Sequence, residues 1–245
     1  MKIDSEAYDH YLEKGWTVVE EIFDPADVER IAGIALEVSQ ELLGSDENYK
    51  MDISDDGSQH APRKIDEPFW MEKTFQEFVL DERLVEAIES LIGREPLLVS
   101  DQVFMKPPHF GSAKPYHQDN SYFLCHPADQ FITAWIALDD VDEENGCLRY
   151  IDGSHKGGIL PHERIPGESY NQMPPPEMID LEKESLALVR QGGVVFHHCQ
   201  TLHTSHRNES DRWRRAYATH WASAEVTSEN DTIPGAYFNK KGYPG

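Results

Sequence analysis

Tyr116-His117-Gln118-Asp119-Asn120-Ser121-Tyr122-Phe123-Leu124 reads as a strand, and in a strand side chains two residues apart share a face. His117 and Asp119 then point one way and Gln118 the other. An imidazole and a carboxylate on one face supply two of the three ligands of a facial triad, the arrangement that leaves open positions on a non-haem Fe(II). His203, on the far side of several expected strands, is the candidate third ligand. Eleven residues later Arg214 offers a planar fork that binds a carboxylate through two parallel hydrogen bonds.

Outward from this stretch, the chain changes period near Pro96. Leu97–Lys106, Phe131–Leu138, Cys147–Ile151, Leu186–Arg190, Val194–His198 and Arg215–Ser223 read as further strands, separated by Gly, Pro, Asn and Asp turns. Many short strands at such spacing predict a β-sandwich or barrel. The connection 157–182, with Pro174-Pro175-Pro176, is long enough to be a functional cover, as is the polar segment 45–62.

Upstream the pattern is helical. Glu6 to Lys14 predicts a short helix ended by Gly15, followed by a β-rich run from Trp16 to Phe23. Asp24-Pro25 marks a helix start, with Val28, Ile31, Ala35, Val38 and Leu42 at helical spacing and Gly44 as its C-cap. Phe69–Leu80 and Glu82–Ile92 predict two more helices, the second closed by Gly93. The reading is therefore one domain over 1–245: a mainly helical layer over 1–95, a β core over 96–223 and a tail over 224–245.

With 45 acidic and 22 basic residues the formal charge is −23, a field that opposes nucleic-acid backbones and anionic membranes. The same field opposes a strongly anionic substrate unless a local basic pocket overrides it. Three cysteines without a CxxC pair argue against a disulfide framework and for a reducing compartment, so the expected location is cytoplasmic. The start of the chain carries no apolar leader, no run reaches membrane-spanning length, and nothing indicates a homo-oligomer.

A set of motifs in order resembles the phytanoyl-CoA dioxygenase family of Fe(II)/2-oxoglutarate oxygenases over roughly residues 60–223. They are Lys106-Pro107-Pro108, His117-Gln118-Asp119 with Tyr122-Phe123, Ala134-Trp135, Asn145-Gly146-Cys147-Leu148, Gly153-Ser154-His155-Lys156, and His203-Thr204-Ser205 with Arg214. Asp152 stands where that family usually has proline. The resemblance implies a double-stranded β-helix, a cupin-like jelly roll, behind N-terminal helices. It implies His117, Asp119 and His203 as iron ligands, and Arg214 with Ser205 as the clamp on the distal carboxylate of 2-oxoglutarate. His203 is preferred over His197, His198 and His206 because it alone has Ser205 and Arg214 at the family's offsets. Gln102, Trp135 and Lys64 fall on cosubstrate-pocket positions.

The implied reaction consumes O2 and 2-oxoglutarate, releases succinate and CO2, and hydroxylates a C–H bond of a small-molecule substrate. Asp119 stands at the position where related halogenases carry a small residue, which favours oxygenation. The competing reading is a non-catalytic, metal-holding jelly-roll module that binds a small acid or a protein. Arg214 and Ser205 separate the two, since such a module has no need of a dicarboxylate clamp.

Overall fold

The computed structural model describes residues 3–42, 51–168, 171–230 and 238–239. Helix α1 (Ser5–Lys14) leads into strand β1 (Trp16–Val19) and helix α2 (Pro25–Leu42). A hairpin of β2 (Met51–Ile53) and β3 (His60–Pro62) precedes β4 (Lys64–Asp66), α3 (Lys73–Val79) and α4 (Glu82–Ile92). Then come β5 (Pro96–Lys106), β6 (Lys114–His117), the short α5 (Asn120–Phe123), β7 (Cys125–His126), β8 (Phe131–Ala137) and β9 (Leu148–Ile151). The chain continues through β10 (Glu163–Arg164), β11 (Gln172–Met173), β12 (Glu184–Ala187), β13 (Val194–His198), β14 (His203–Ser205), β15 (Arg214–Ser223), β16 (Thr227–Ser228) and β17 (Phe238–Asn239).

Local chemistry sets the helix ends. The Asp4 carboxylate accepts from Ala7 N at 2.8 Å, and α1 stops where Gly15 turns left-handed at φ 85° and donates to Tyr11 O. Only glycine fits there, because a Cβ would sit 2.4 Å from the His155 ring and 2.5 Å from the Thr201 hydroxyl. Asp81 caps α4 in the same manner as Asp4, and Gly93 closes it at φ 67°.

Two antiparallel sheets face each other. The larger runs β1-β13-β8-β15-β5-β17, with β4 also on β5, and the smaller runs β12-β9-β14-β6. This is a jelly roll. Alternation assigns the faces. Ile132, Ala134 and Ile136 of β8, Val194 and Phe196 of β13 and Tyr217 of β15 turn outward and pack on Val28, Ile31 and Ala35 of α2, Phe75 and Phe78 of α3, and Leu84 and Ile88 of α4. Trp135, Ala137, Val195, Ala216 and Ala218 turn inward and meet Leu148, Tyr150 and Ala187 of the smaller sheet. The middle strands are thus buried on both faces, each large side chain in these layers contributing about 1.5–3 kcal/mol.

Four sequence expectations change. The strand expected over 116–124 ends at His117: Asp119 is helical (φ −55°, ψ −40°) and α5 follows. The helix expected from Phe69 begins at Lys73, after a 3-10 turn over Pro68–Trp70. The strand expected over Leu186–Arg190 is shifted to Glu184–Ala187, leaving Leu188 exposed. Besides β1, which the expected β-rich run from Trp16 anticipates, the helical layer lends β4 to the larger sheet and the tail lends two strands, β16 on β7 and β17 on β5. Within 45–62 the described part is the β2–β3 hairpin, and the Gly44 cap lies outside the described residues. Asp152, the departure from the family's proline, ties three elements together: it accepts from Trp16 Nε1 at 2.8 Å and Ser185 Oγ at 2.9 Å and pairs with Lys14 at 3.1 Å.

Candidate metal centre

Sheet register brings the two histidines together. His203 of β14 lies across from His117 of β6 on one side and Tyr150 of β9 on the other, so the three form a row on the inner face of the smaller sheet. His117 Nδ1 is 2.9 Å from Pro115 O and His203 Nδ1 is 2.9 Å from Thr201 O. A carbonyl only accepts, so each Nδ1 carries the hydrogen and each Nε2 keeps its lone pair for the site.

Asp119 arrives by a turn. Gln118 is fully buried; its side chain donates to Gly158 O and Gln200 O and accepts from Leu160 N. Asn120, also fully buried, brackets Cys125 with both amide atoms. These two amides fold the chain back and carry the carboxylate to within 3.6 Å of His117 Nε2 and 3.7 Å of His203 Nε2, both measured to Oδ1. The three residues can each offer an atom within 4.8 Å of the others. Donors that share an ion at about 2.0–2.2 Å lie some 3–4 Å apart, so the spacing fits a metal.

The other carboxylate oxygen is already committed. Asp119 Oδ2 accepts from Thr133 Oγ1 at 2.6 Å and from His197 Nε2 at 2.8 Å. Tyr150 Oη lies 2.8 Å from His197 Nδ1, and His220 Nδ1 lies 2.9 Å from Thr133 Oγ1. The donors line up consistently: Tyr150 to His197 to Asp119, and His220 to Thr133 to Asp119. Burial pushes the Asp119 pKa up, but the surrounding His203, His117 and His197 outweigh it and hold the carboxyl well below its ordinary range. Burial pushes His117 and His203 down, the latter far down. Two neutral imidazoles and one carboxylate are the protonation states a divalent metal needs.

A cationic corner lies beside the triad. Arg214 begins β15 across from Lys106 at the end of β5, and both are buried. The guanidinium carbon stands 5.5 Å from the Trp135 ring centroid, while Nε has no hydrogen-bond partner among the described residues. Burial lowers its pKa to about 10. Lys106, pushed well down by burial and then by Arg214, donates to Ser205 Oγ at 2.8 Å and to the Ser205 and His206 carbonyls. Gln102, Ala218 and Trp135 form one row across β5, β15 and β8, on the face that Arg214 shares. Lys64, on β4 across from Phe104, sits 5.6 Å from that ring and pairs with Asp66 at 2.6 Å.

Sequence reading of the site therefore omitted Lys106 from the anion corner and His197, Thr133, Tyr150 and His220 from the support of Asp119. The alternation that put Thr133 and Trp135 on one face already carried part of that signal. Arg212 and Arg215, close in sequence to Arg214, pair instead with Asp142 and Asp139, each at 2.6 Å. Arg149 is held by Glu184 at 2.8 Å and Glu143 at 2.7 Å.

The sequence model of the phytanoyl-CoA dioxygenase family matches residues 11–216. A probable alpha-ketoglutarate-dependent hypophosphite dioxygenase of Stutzerimonas stutzeri is 29% identical over 226 residues, 88% of this chain and 77% of that one. The peroxisomal phytanoyl-CoA dioxygenase of Homo sapiens is 26% identical over 227 residues, covering 88% and 67%. The phytanoyl-CoA dioxygenase domain-containing protein 1 of Bos taurus reaches 35% over 153 residues, 58% of this chain and about half, 51%, of that relative. Among solved structures, EvdO2 of Micromonospora carbonacea var. aurantiaca complexed with 2-oxoglutarate superposes with TM-score 0.72 at 21% identity, over 96% of both chains. The nogalamycin-biosynthesis epimerase SnoN, in complex with Fe3+, alpha ketoglutarate and nogalamycin RO, gives TM-score 0.69 at 22% identity over 93% and 86%. At these identities the structural likeness is one of fold.

Proposed function

The chain belongs to the phytanoyl-CoA dioxygenase family of Fe(II)/2-oxoglutarate-dependent oxygenases, and from that premise we propose that it hydroxylates a C–H bond of a small substrate, with His117, Asp119 and His203 holding the iron and Arg214 holding 2-oxoglutarate. The observation that carries this reading is Arg214. A guanidinium 2% exposed, with an unpartnered Nε and no ion pair among the described residues, is an uncompensated buried charge. Such a charge costs several kcal/mol unless an anion meets it. A module that merely stores metal has no use for it, whereas a dicarboxylate chelating the neighbouring metal would place its far end there.

Iron and 2-oxoglutarate, when bound, supply the oxidising chemistry, as O2 is reduced and the 2-oxo acid is converted to succinate and CO2. The protein positions the parts. Thr133 and His197 hold Asp119 Oδ2, leaving Oδ1 to face the metal. Lys106, across from Arg214 on the neighbouring strand, donates to the Ser205 hydroxyl and fixes it. Trp135 covers the guanidinium face and excludes water from the clamp. Gln102 and Lys64 line the approach from β5 and β4. Hypophosphite, named for the Stutzerimonas stutzeri relative, sets a precedent for an oxyanion substrate within the family.

The test is turnover. Protein reconstituted with Fe(II) should develop the weak visible charge-transfer band of a metal-chelated 2-oxo acid when 2-oxoglutarate is added without air. In air, the right substrate among a screened set should stimulate succinate formation and gain a hydroxyl. Absence of both the band and succinate would overturn the reading; succinate with a product that gains no oxygen would overturn hydroxylation alone.

A further inference from the structure

Lys114 is a cation that the metal and the clamp leave unused. It lies on β6, three residues before His117, at the outer edge of the smaller sheet. Its ammonium donates to Asn171 Oδ1 at 2.6 Å and Tyr122 Oη at 3.3 Å, and stands 5.1 Å from the Tyr122 ring. Both hydrogen-bond partners are neutral, and no carboxylate pairs with it among the described residues. Burial first, and then the charges of Lys64 and Arg63, push its pKa down to about 8. Tyr122 in turn packs edge-on against His117, ring centroids 5.8 Å apart, so Lys114 is one aromatic ring from the metal donors.

Lys64 comes from the opposite sheet. It shares the inner face of the larger sheet with Phe104, and its charge acts on both Lys114 and His220. Because Asp66 offsets Lys64, the excess charge here is that of Lys114. Lys114 bonds Asn171 and Tyr122 whereas Lys106 of the clamp bonds Ser205 and His206, so the two lysines share no hydrogen-bond partner. Residues 171 and 172 of the 157–182 connection lie against Lys114, since Gln172 bonds Ser121 Oγ at 2.9 Å and Tyr122 Oη at 3.3 Å while Asn171 supplies the acceptor. Asn171 Oδ1 thus stands where an oxygen of a bound anion would be taken by the ammonium. On a chain of formal charge −23, an unpaired cation beside the metal donors is a local reversal of the protein's field.

We propose that Lys114 seats the oxyanion head group of the prime substrate, so that this enzyme oxidises a small acid, either a carboxylate or a phosphorus oxyacid, beneath the described part of the 157–182 connection. The proposal rests on the oxygenase reading above, and its test separates the two. Protein loaded with Fe(II) and 2-oxoglutarate in the absence of air is titrated with phosphite, methylphosphonate, propionate and the neutral control propanamide. The readouts are perturbation of the charge-transfer band and the shift in melting temperature.

At least one anion, and not propanamide, should bind saturably to the wild type. Lys114→Met should weaken that binding on the order of 10- to 100-fold, while Lys114→Arg retains most of it. Both variants should keep the wild-type melting temperature and 2-oxoglutarate affinity. Preference among the anions assigns the head group, phosphorus or carboxylate. Unchanged anion binding in Lys114→Met, a parallel loss of 2-oxoglutarate affinity, or no anion binding to the wild type would each overturn the proposal. A wild type that forms no band counts against the oxygenase reading, and the melting-temperature arm then judges Lys114 alone.

Discussion

His117 and His203 are cross-strand neighbours at the edge of the smaller sheet, their ring centroids 4.2 Å apart. A single step of register between β6 and β14 would turn one imidazole out of the sandwich. The pairing of two short strands therefore sets the spacing of the two imidazoles, and Asp119 is added by the turn that Gln118 and Asn120 stabilise. Replacing Asp119 by Ala removes the one anionic donor of this set, so Fe(II)-dependent 2-oxoglutarate decarboxylation should vanish. Near wild-type turnover in the variant would rule Asp119 out as a ligand.

His197 and Thr133 act through Asp119 rather than on the metal. His197→Phe and Thr133→Val each remove one hydrogen bond to Oδ2 and free the carboxylate to rotate. Metal affinity should fall by about 10- to 100-fold in each, with the fold intact by circular dichroism. Isothermal titration with Fe(II) or Mn(II) measures this; affinities equal to wild type would show that the network does not orient Asp119.

Arg214→Ala should weaken 2-oxoglutarate binding by about two to four powers of ten, the consequence of losing roughly 3–5 kcal/mol from a buried charge pair. Metal binding should survive because the three donors are untouched. Sequential titrations with Fe(II) and then 2-oxoglutarate decide the matter. If affinity for 2-oxoglutarate is unchanged, the clamp is elsewhere, with Lys106 next in line on its position; loss of metal binding too would indicate misfolding.

Asp101 gives the fold a pH dependence. Its carboxylate is fully buried, accepts from Tyr217 Oη at 2.7 Å and Phe69 N at 2.9 Å, and burial raises its pKa to about 6. A carboxyl raised in the folded state binds its proton more tightly there than in the unfolded chain. Its effect is to lower stability as pH climbs from about 4 to about 6, by at most ~3 kcal/mol. Asp101→Asn keeps an acceptor for both donors and carries no charge, so it should flatten this part of the profile and be the more stable protein at neutral pH. Urea unfolding at a series of pH values checks it; identical profiles for the two proteins would contradict the assignment.

Gln118 anchors the start of the 157–182 connection to the turn beside the metal donors. Gln118→Ala strands Gly158 O, Gln200 O and Leu160 N without their partner. Limited proteolysis should then cut within 157–168 several times faster than in the wild type, and Km for the prime substrate should rise. A variant as resistant to protease as the wild type would show that other contacts hold this segment.

Much of this molecule could be read from its residues. Periodicity marked α1, α2, α4 and the long β5, β8, β13 and β15, because a helix or a strand buried on a defined face must repeat its apolar residues at its own period. Gly15 and Gly93 closed their helices as expected, because a residue without a Cβ takes the left-handed turn cheaply. The residue types at His117, Asp119 and Arg214 suggested a metal and an anion by their chemistry, and the family resemblance singled out His203 and completed the set. Tertiary structure decided the rest, and the reason is distance along the chain. His197 reaches Asp119 and Lys106 reaches Ser205 only because two sheets close on each other. The break at His117 likewise depends on partners for Gln118 and Asn120 that local propensity does not contain. Sequence chose the chemical groups; the register and closure of the sheets chose which of them meet.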